Sequence, residues 1–490
     1  MSKDLQVRKG AYVDSVTLLQ VSRTITELPG VTSALVAMAT ELNLELAAGM
    51  GFTLPAEAGP NEMLVAVDAH SDDALRAALA EVDVVLTASS VVPSSGFGSA
   101  PAPRTIAAAA RSTEANVALI STPGQYAVAD AIDAVDAGLH TMVFSDNVPV
   151  EQELALKRYA ERAGVVVMGP DCGTAVIGGV GLGFANVVRP GPVGIVAASG
   201  TGAQHLMTLL DGAGVGISHC VGVGGRDLRA EVGGLSTLRA LDLLAVDEAT
   251  ELVVVISKPP SDSVAHAVRE HADSLGKPVL MCLLGQGQPN LTETARRVVD
   301  ALGRTWQLPS RLAGRVGTCR RGHLRGLFTG GTLCDEAMIL AADRLGPIWS
   351  NIALQPDWML EPDLASAGHT MIDFGDDRLT SGRPHPMIDG SIRAQRLRSE
   401  VDDPTCAVLL LDVVLGLGAH LDPAAGLVDA VGAATTAGVP VVVSMVGTRD
   451  DPQDRNRSAA MLHEAGAWVH FSNAEATVAA MDLLETGERS

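Results

Sequence analysis

Four Gly-rich turns follow apolar, strand-like runs, and each could bind an anion through backbone N–H groups. In an open parallel sheet such turns lie at the carboxyl ends of strands, where helix N-termini carry a partial positive charge. The turns are Ser121-Thr122-Pro123-Gly124-Gln125-Tyr126, Ser199-Gly200-Thr201-Gly202, Thr329-Gly330-Gly331-Thr332 and Gly416-Leu417-Gly418-Ala419-His420. A tight connection with an N-capping hydroxyl is the alternative for each. None of the four matches the dinucleotide or P-loop patterns, so binding through those motifs is not supported.

Three further features place charged side chains near such turns. His420 and Lys258 are the candidate catalytic residues. His420 could donate to a carbonyl or phosphate oxygen, or be a solvated residue of a first helical turn. Lys258, one of only five lysines, follows the apolar run LVVVIS and could contact an anion or form a structural ion pair. Asp373, Asp376 and Asp377 could bind Mg²⁺ together with phosphate oxygens, but acidic loops are expected in a chain with net charge −22.

The composition restricts the class of protein. A net charge of −22 argues against nucleic acid and anionic membranes as partners. The six cysteines form no CxxC pair and no metal-binding spacing, so no metal site is predicted. The N-terminus has no apolar signal core, and no run reaches the length of a membrane span. We therefore expect a soluble protein in the cytoplasm.

The order of strand-like and helix-like segments predicts how these turns are positioned. At 490 residues the chain is too long for one core, and three series of apolar runs alternate with helical patterns, as in doubly wound parallel sheets. The predicted divisions are a small, ferredoxin-like α/β domain (1–88), a Ser/Pro/Gly-rich linker (89–104), a Rossmann-type domain (105–190), a flavodoxin-like domain (191–288), a connector (289–322) and a second flavodoxin-like domain (323–490).

Several segments resemble a known family. Residues 168–207, MGPDCGTAVIGGVGLGFANVVRPGPVGIVAASGTGAQHLM, are similar to the junction between the two domains of the succinyl-CoA synthetase α subunit. Residues 323–490 resemble the carboxy-terminal domain of its β subunit, with LLLDVVLGLGAHLD (409–422) in place of the strand and turn that begin the second phosphate-facing helix. This order, preceded by a small α/β domain, is similar to the FdrA family, as are KGAYVDSVTLLQVS (9–22) and RGLFTGGTLCDEA (325–337).

The resemblance implies where ligands bind. A phosphate would lie between the turns at 199–202 and 416–420, with Gly330–Thr332 nearby, and CoA would use a pocket at Thr122, Pro123, Gly124, Gln125 and Asp171. The departures from the synthetase are equally informative. No segment has room for an ATP-grasp domain, and LLGQGQPN (283–290) stands where the synthetase carries its phosphorylated histidine. Asp171 replaces an asparagine beside the CoA phosphates.

The FdrA family is associated with oxamate carbamoyl transfer in purine (allantoin) breakdown, together with other subunits. The resemblance therefore implies one subunit of an oligomeric carbamoyltransferase that exchanges a carbamoyl group between carbamoyl phosphate and a small amide acid. An acyl-CoA synthetase or CoA transferase, using an acyl phosphate and a small carboxylic acid, is the first alternative. A binding or regulatory protein that kept the scaffold and lost catalysis is the second.

Overall fold

The computed structural model describes residues 2–9, 13, 15–26, 28–54, 59, 62–90, 103–314, 320–380 and 384–488. The chain divides into two compact units, one formed by 1–102 with 380–384 and the other by 103–379 with 385–490. Most of the predicted linker, and residues 315–319 of the predicted connector, lie outside the described residues. The domain boundaries given above stay predictions.

The amino-terminal unit contains an antiparallel sheet of three described strands in the order β1-β3-β2. Met63, Val65 and Val67 of β3 pack with residues of α1 and α3, whereas Leu64 and Ala66 pack with residues of α2. The central strand therefore has a core on each face, as the alternation of side chains along a strand allows. The elements are β1 (Ser2–Arg8), α1 (Ser15–Thr26), β2 (Val31–Met38), α2 (Glu41–Gly49), β3 (Met63–Ala69) and α3 (Asp72–Ser90).

The second unit begins with a small parallel sheet in the order β4-β5-β6. The helices α5 and α6 connect its strands in the βαβ manner that a parallel sheet requires. The elements are α4 (Ile106–Ala110), β4 (Val117–Ile120), α5 (Gly124–Asp136), β5 (His140–Val143), α6 (Val150–Ala163) and β6 (Val167–Met168).

A six-stranded sheet follows, in the order β12-β11-β9-β10-β7-β8. Strands β9 to β12 are parallel, whereas the hairpin β7-β8 is added antiparallel to β10. The hairpin lies within the stretch predicted as the Rossmann-type domain, yet its Val176 packs in the core with Ile195 of β9. The elements are β7 (Thr174–Ile177), β8 (Val180–Gly183), β9 (Pro190–Ala198), α7 (Gly200–Gly212), β10 (Ile217–Gly222), α8 (Leu235–Val246), β11 (Leu252–Ser257), α9 (Asp262–Asp273), β12 (Val279–Leu283) and α10 (Leu291–Ala301).

The last sheet has six parallel strands in the order β14-β15-β13-β16-β17-β18. All nine residues of β16 are buried, because helices cover both faces of this sheet. The elements are β13 (His323–Phe328), α11 (Gly331–Leu345), β14 (Ile348–Ser350), a 3-10 helix (Pro356–Trp358), β15 (His369–Asp373), α12 (Asp377–Thr380), α13 (Ser391–Asp402), β16 (Cys406–Val414), α14 (Ala425–Thr436), β17 (Val441–Val446), α15 (Arg455–Glu464), β18 (Trp468–His470) and α16 (Asn473–Glu488).

One hydrophobic core joins the two six-stranded sheets. Leu206 of α7, Leu333 and Ala337 of α11 and Leu484 of α16 all belong to it. Several parallel sheets with a small amino-terminal domain confirm the predicted α/β fold class. Among the described helices, none is both long enough and apolar enough to cross a membrane.

Candidate functional site

Helices α7 and α11 begin against each other, after strands β9 and β13. Ser199 is the N-cap of α7, and its Oγ lies 2.5 Å from Oγ1 of Thr332 in the first turn of α11. A Cβ at Gly330 would lie 2.8 Å from Cβ of Thr201, and one at Gly202 would lie 3.0 Å from Cγ2 of Thr332. The close approach of the two helix ends therefore favours glycine at Gly330, and at Gly202 the Oγ of Ser199, 2.6 Å from the position of a Cβ, adds to this effect. The structure thus brings together two of the four predicted turns.

The first backbone N–H groups of these two helices belong to the residues that meet at this junction. The hydroxyl of Ser199 accepts from the Gly202 N–H at 2.9 Å, and no side chain caps α11. Within the described residues, the N–H groups of Gly200, Thr201, Gly331 and Thr332 have no acceptor. Two helix dipoles and uncapped donors make this junction suitable for an anion such as a phosphoryl group.

A buried carboxylate fixes the turn between β13 and α11. Asp412 of β16 accepts from the N–H groups of Thr329 and Gly330 at 2.8 Å each, and from the Thr329 hydroxyl at 2.8 Å. Arg393, only 4% exposed, donates to the same carboxylate at 2.6 Å. Burial raises the pKa of Asp412, and Arg393 opposes that rise. Asp412 therefore uses the two donors that precede α11 and leaves those of its first turn available.

Lys258 lies at the N-terminus of α11 between two acidic residues. Its Nζ is 3.0 Å from Oδ2 of Asp335, and its side chain stays 40% exposed. A Cβ at Gly331 would lie 2.9 Å from this Nζ and 2.6 Å from Oδ2 of Asp373. Burial would lower the pKa of Lys258, but the charges of Asp335 and Asp373 outweigh it and raise the pKa. The lysine is thus held in its cationic form where an anion would bind.

Asp373 is the last residue of β15, and the side chain of Asn351 holds its backbone in place. Its N–H donates to Oδ1 of Asn351 at 2.9 Å, and its carbonyl accepts from the Asn351 side-chain amide at 2.8 Å. Its Oδ1 accepts from the Gly375 N–H at 2.9 Å. Burial raises the pKa of this carboxyl to about 7, against the opposing effect of Lys258.

The turn Gly416–Ala419 does not begin the second helix that faces α7, so that prediction is wrong. Helix α14 starts only at Ala425, and it is the first turn of α11 that contacts the N-terminus of α7. The turn instead packs against the segment after β8, where the Leu417 N–H donates to the Ala185 carbonyl at 2.7 Å. The Gly416 N–H donates to Gln453 Oε1 at 3.0 Å. These contacts do not favour the predicted phosphate-binding role of Gly416, Gly418 and Ala419.

His420 is held within its own turn. Its Nδ1 accepts from the Asp422 N–H at 3.0 Å, and its backbone N–H donates to the Met387 carbonyl at 2.8 Å. The predicted catalytic role of His420 gains no support from this placement.

The residues predicted to form a CoA pocket lie together at the carboxyl edge of the first parallel sheet. The Ser145 hydroxyl donates to the Thr122 carbonyl, and the Ser145 carbonyl accepts from the Asp171 N–H at 2.9 Å. Pro123 is the N-cap of α5 and provides no side-chain cap, so the first N–H groups of α5, at Gly124 and Gln125, have no acceptor among the described residues. An anionic group would fit these donors.

Carboxylates next to the same pocket oppose a polyanion. Burial raises the pKa of Asp171 to about 7, and the charges of Asp377 and Asp146 raise it further, whereas Arg226 and Lys258 oppose the rise. A Cβ at Gly124 would lie 2.2 Å from the Asp146 carbonyl, so α5 begins tightly against the loop that carries this aspartate. The α5 donors therefore fit one phosphate, but the surrounding charges fit the several phosphates of CoA poorly.

The alternative of a Mg²⁺ site at Asp373, Asp376 and Asp377 is not favoured by their placement. Asp376 accepts from Nε of Arg378 at 2.9 Å, and Asp373 faces Lys258 instead. Within the part of the chain that the structure describes, no three His, Cys, Asp or Glu side chains are grouped to hold a metal ion. The residues present do not fit Mg²⁺ at this position.

Two site residues, Asp335 and Asp412, are not among the predicted ones, although the sequence around each indicates a role. Asp335 stands four residues after Gly331 and therefore on the same helix face as the uncapped end. Asp412 is a lone acid within the apolar run CAVLLLDVV, where a charge has to have a buried partner. Asn351 and Arg393 carry no comparable signal, because long-range packing brings them to the site.

Comparisons with known proteins agree with this architecture. A family model described as the AllF heavy metal-associated domain matches residues 1–102, and one described as CoA-ligase matches residues 327–483. Residues 1–102 contain no cysteine, so this segment lacks the thiolate ligands that soft metals prefer. The fold and the matched domains define a CoA-ligase-like protein with a small amino-terminal domain.

The uncharacterized protein YahF of Escherichia coli (strain K12) is 36% identical over 519 residues, which covers 100% of both chains. This chain belongs to the FdrA family. The α subunit of the ADP-forming succinate–CoA ligase of Methanothermobacter thermautotrophicus is 28% identical over 179 residues, and the match covers 36% of this chain and 59% of that subunit. The apo acetyl-coenzyme A synthetase 1 of Ca. Korarchaeum cryptofilum aligns with a TM-score of 0.32 and 19% identity over 79% of this chain and 85% of that chain.

Proposed function

We propose that this chain is a subunit of an acyl-transferring enzyme of the CoA-ligase kind, and that it binds an acyl phosphate with its phosphoryl group across the N-termini of α7 and α11. The single observation that carries this proposal is the contact between Ser199 and Thr332 at 2.5 Å, which sets the N-termini of α7 and α11 side by side. Lys258 adds a cation at the same place.

The donors of this site suit a phosphate leaving group. When the bond between the acyl carbon and the bridging oxygen breaks, negative charge grows on the departing phosphate. The N–H groups of Gly200, Thr201, Gly331 and Thr332 are fixed before the reaction, so they stabilise this charge without reorganisation. The segment 283–290 contains no histidine that could take the phosphoryl group, which supports transfer of the acyl group directly from its phosphate.

The thiol of CoA is the first candidate acceptor. The CoA-ligase match over 327–483 and the succinate–CoA ligase relatives support it. Bound CoA would supply a thiol nucleophile, and the N–H groups of Gly124 and Gln125 would hold one of its phosphates.

A nitrogen acceptor is the second candidate, with carbamoyl phosphate as the donor and a small amide acid such as oxamate as the acceptor. The carboxylates of Asp146 and Asp171 support it, because they disfavour the phosphates of CoA at the α5 end. In this reading the chain would be one subunit of an oligomeric carbamoyltransferase of purine (allantoin) catabolism in the cytoplasm.

The test is the release of phosphate from acetyl phosphate with CoA, and from carbamoyl phosphate with oxamate, by the wild type and two variants. Ser199→Asp places a carboxylate at the helix junction, so acceptor-dependent release should fall by about 100-fold or more. Gly432→Ala lies in α14 with no atom within 4 Å of the new Cβ, and it should keep the wild-type rate. Full activity in Ser199→Asp would contradict the proposed site, and the productive substrate pair would identify the acceptor.

A further inference from the structure

The carboxylate of Asp373 has two oxygens in different situations. Oδ1 is fixed by the Gly375 N–H at 2.9 Å, whereas Oδ2 accepts no hydrogen bond from the described residues. Oδ2 lies over the first residue of α11, 2.6 Å from the position of a Cβ at Gly331. The Nζ of Lys258 lies 2.9 Å from that same position. A bound phosphoryl oxygen at the α11 end would therefore meet both groups.

Other ionisable groups close to the junction are already engaged. The Oδ2 of Asp335 pairs with Lys258 at 3.0 Å, and both oxygens of Asp412 accept from the turn before α11. Glu336 accepts from the Leu291 N–H at 2.8 Å and from the Asn473 amide at 2.7 Å. Asp373 is the carboxylate with one oxygen anchored and the other turned toward the uncapped helix end.

We propose that Asp373 is the catalytic residue that carries the proton from the acyl acceptor to the departing phosphate. This inference rests on the proposed function, because it requires an acyl phosphate at the junction of α7 and α11. Lys258 then holds the phosphoryl group, and Asp373 handles the proton.

The step balances without any further reactant. The acceptor X–H attacks the acyl carbon, the C–X bond forms, and its proton passes to Oδ2 of Asp373. The bond between the acyl carbon and the bridging oxygen breaks, and that oxygen receives the proton from Asp373. An acyl phosphate dianion and X–H thus give acyl-X and hydrogen phosphate, and Asp373 returns to its starting form.

The surroundings of Asp373 set the pH at which it can act. Lys258 faces it from the segment after β11, Asp335 and Cys334 face it from α11, and Asp376 belongs to its own loop. His385 also approaches, because its Nε2 and Oδ1 of Asp373 lie 2.9 and 3.2 Å from the position of a Cβ at Gly375. Burial raises the pKa of Asp373 to about 7 and lowers that of His385 to about 4. Near neutral pH, Asp373 can therefore both accept and donate a proton, whereas His385 is neutral.

The experiment compares the wild type, Asp373→Asn and Asp376→Asn in two measurements. The first is sulfate affinity from about pH 5 to about pH 8. The charge of sulfate does not change over this range, whereas a carboxyl group with a pKa of about 7 loses its proton. Wild-type affinity should fall by about tenfold as the pH rises through 7, since an ionised Asp373 repels the anion. Asp373→Asn should bind sulfate equally at all pH values, and Asp376→Asn should behave as the wild type.

The second measurement is turnover of the acyl phosphate. Asp373→Asn should lose about 100-fold or more in kcat, within the range for a lost general acid–base, whereas Asp376→Asn should keep the wild-type value. Wild-type turnover in Asp373→Asn, or a pH-independent sulfate affinity in the wild type, would overturn the proposed role of Asp373. Neither result would contradict the anion site between α7 and α11. A wild type that binds no sulfate at any pH would overturn the site itself. If Asp373→Asn does not fold, the pH dependence of sulfate affinity in the wild type still tests the role of Asp373.

Discussion

Lys258 is shared by two carboxylates at the N-terminus of α11. Asp335 bonds to it at 3.0 Å, and the charge of Asp373 acts on it from the end of β15. The lysine is therefore fixed in position and in charge before a ligand arrives, and such preorganisation strengthens the binding of an anion.

Replacing Lys258 by methionine tests its contribution to anion binding. Lys258→Met should weaken phosphate binding by about tenfold or more, because a hydrogen bond to a charged group contributes about 1.5–3 kcal/mol. Lys9→Met removes the same charge from a side chain that is 80% exposed in the amino-terminal unit. Titration calorimetry with phosphate should show no change for Lys9→Met, and equal losses in both variants would indicate only the effect of net charge.

We predict that Asp412 contributes to the stability of the protein. Asp412→Asn leaves Arg393 buried without its counter-ion and should lower the free energy of unfolding by about 3 kcal/mol. Asp429→Asn, at an exposed position of α14, should change it by less than about 0.5 kcal/mol. Urea denaturation measures both, and equal stabilities of the two variants would contradict the assigned role of Asp412.

At the scale of elements, the predicted Gly-rich turns differ in whether a helix begins directly after them. The Ser199–Gly202 and Gly330–Thr332 turns each lead directly into a helix, so both the strand run and the helix that follows are visible in the sequence. Gly416–Ala419 follows an equally apolar strand, but five further residues, 420–424, separate Ala419 from α14. Whether a Gly-rich turn begins a helix or packs against a distant segment depends on partners such as Ala185 and Gln453, and local sequence does not contain them.

The contact between α7 and α11 is tested by a single methyl group. Gly330→Ala would place Cβ 2.8 Å from Thr201 without backbone strain, because Gly330 has φ −111. Separating the helix ends should cost about 1–3 kcal/mol of stability and weaken phosphate binding by about tenfold. Gly432→Ala adds a methyl group within α14 where no atom lies within 4 Å, and it should stabilise the protein by about 0.5–1 kcal/mol.

Calorimetry and urea denaturation of both alanine variants separate the two effects. Phosphate affinity close to the wild-type value in Gly330→Ala would show that the helix junction does not form the anion site.

At the scale of the whole molecule, every residue proposed to touch the anion belongs to the unit formed by 103–379 and 385–490. Continuous apolar runs such as CAVLLLDVV predicted that the sheets would be covered on both faces, and this part of the fold followed from local sequence. The addition of the hairpin β7-β8 to the sheet of β9 did not, because its pairing with β10 joins residues more than 40 positions apart, such as Cys220 and Val176.

A shortened protein tests whether the second unit is sufficient for anion binding. Residues 103–490 should bind phosphate within about twofold of the full-length affinity, because the hydrogen-bond and ion-pair partners described above for Ser199, Lys258 and Asp373 all lie within this segment. The same shortened protein with Gly330→Ala should show the loss described above. A folded 103–490 protein that binds no phosphate would show that the amino-terminal unit contributes to the site.

The central claim is that an anion binds across the N-termini of α7 and α11, and the most direct measurement is a crystal structure with selenate located by its anomalous scattering. The account predicts a selenium peak beside Lys258, placed so that selenate oxygens accept from the N–H groups of Gly200 or Thr201 and of Gly331 or Thr332. A peak only at the N-terminus of α5, or none at the junction of the two helices, would contradict it.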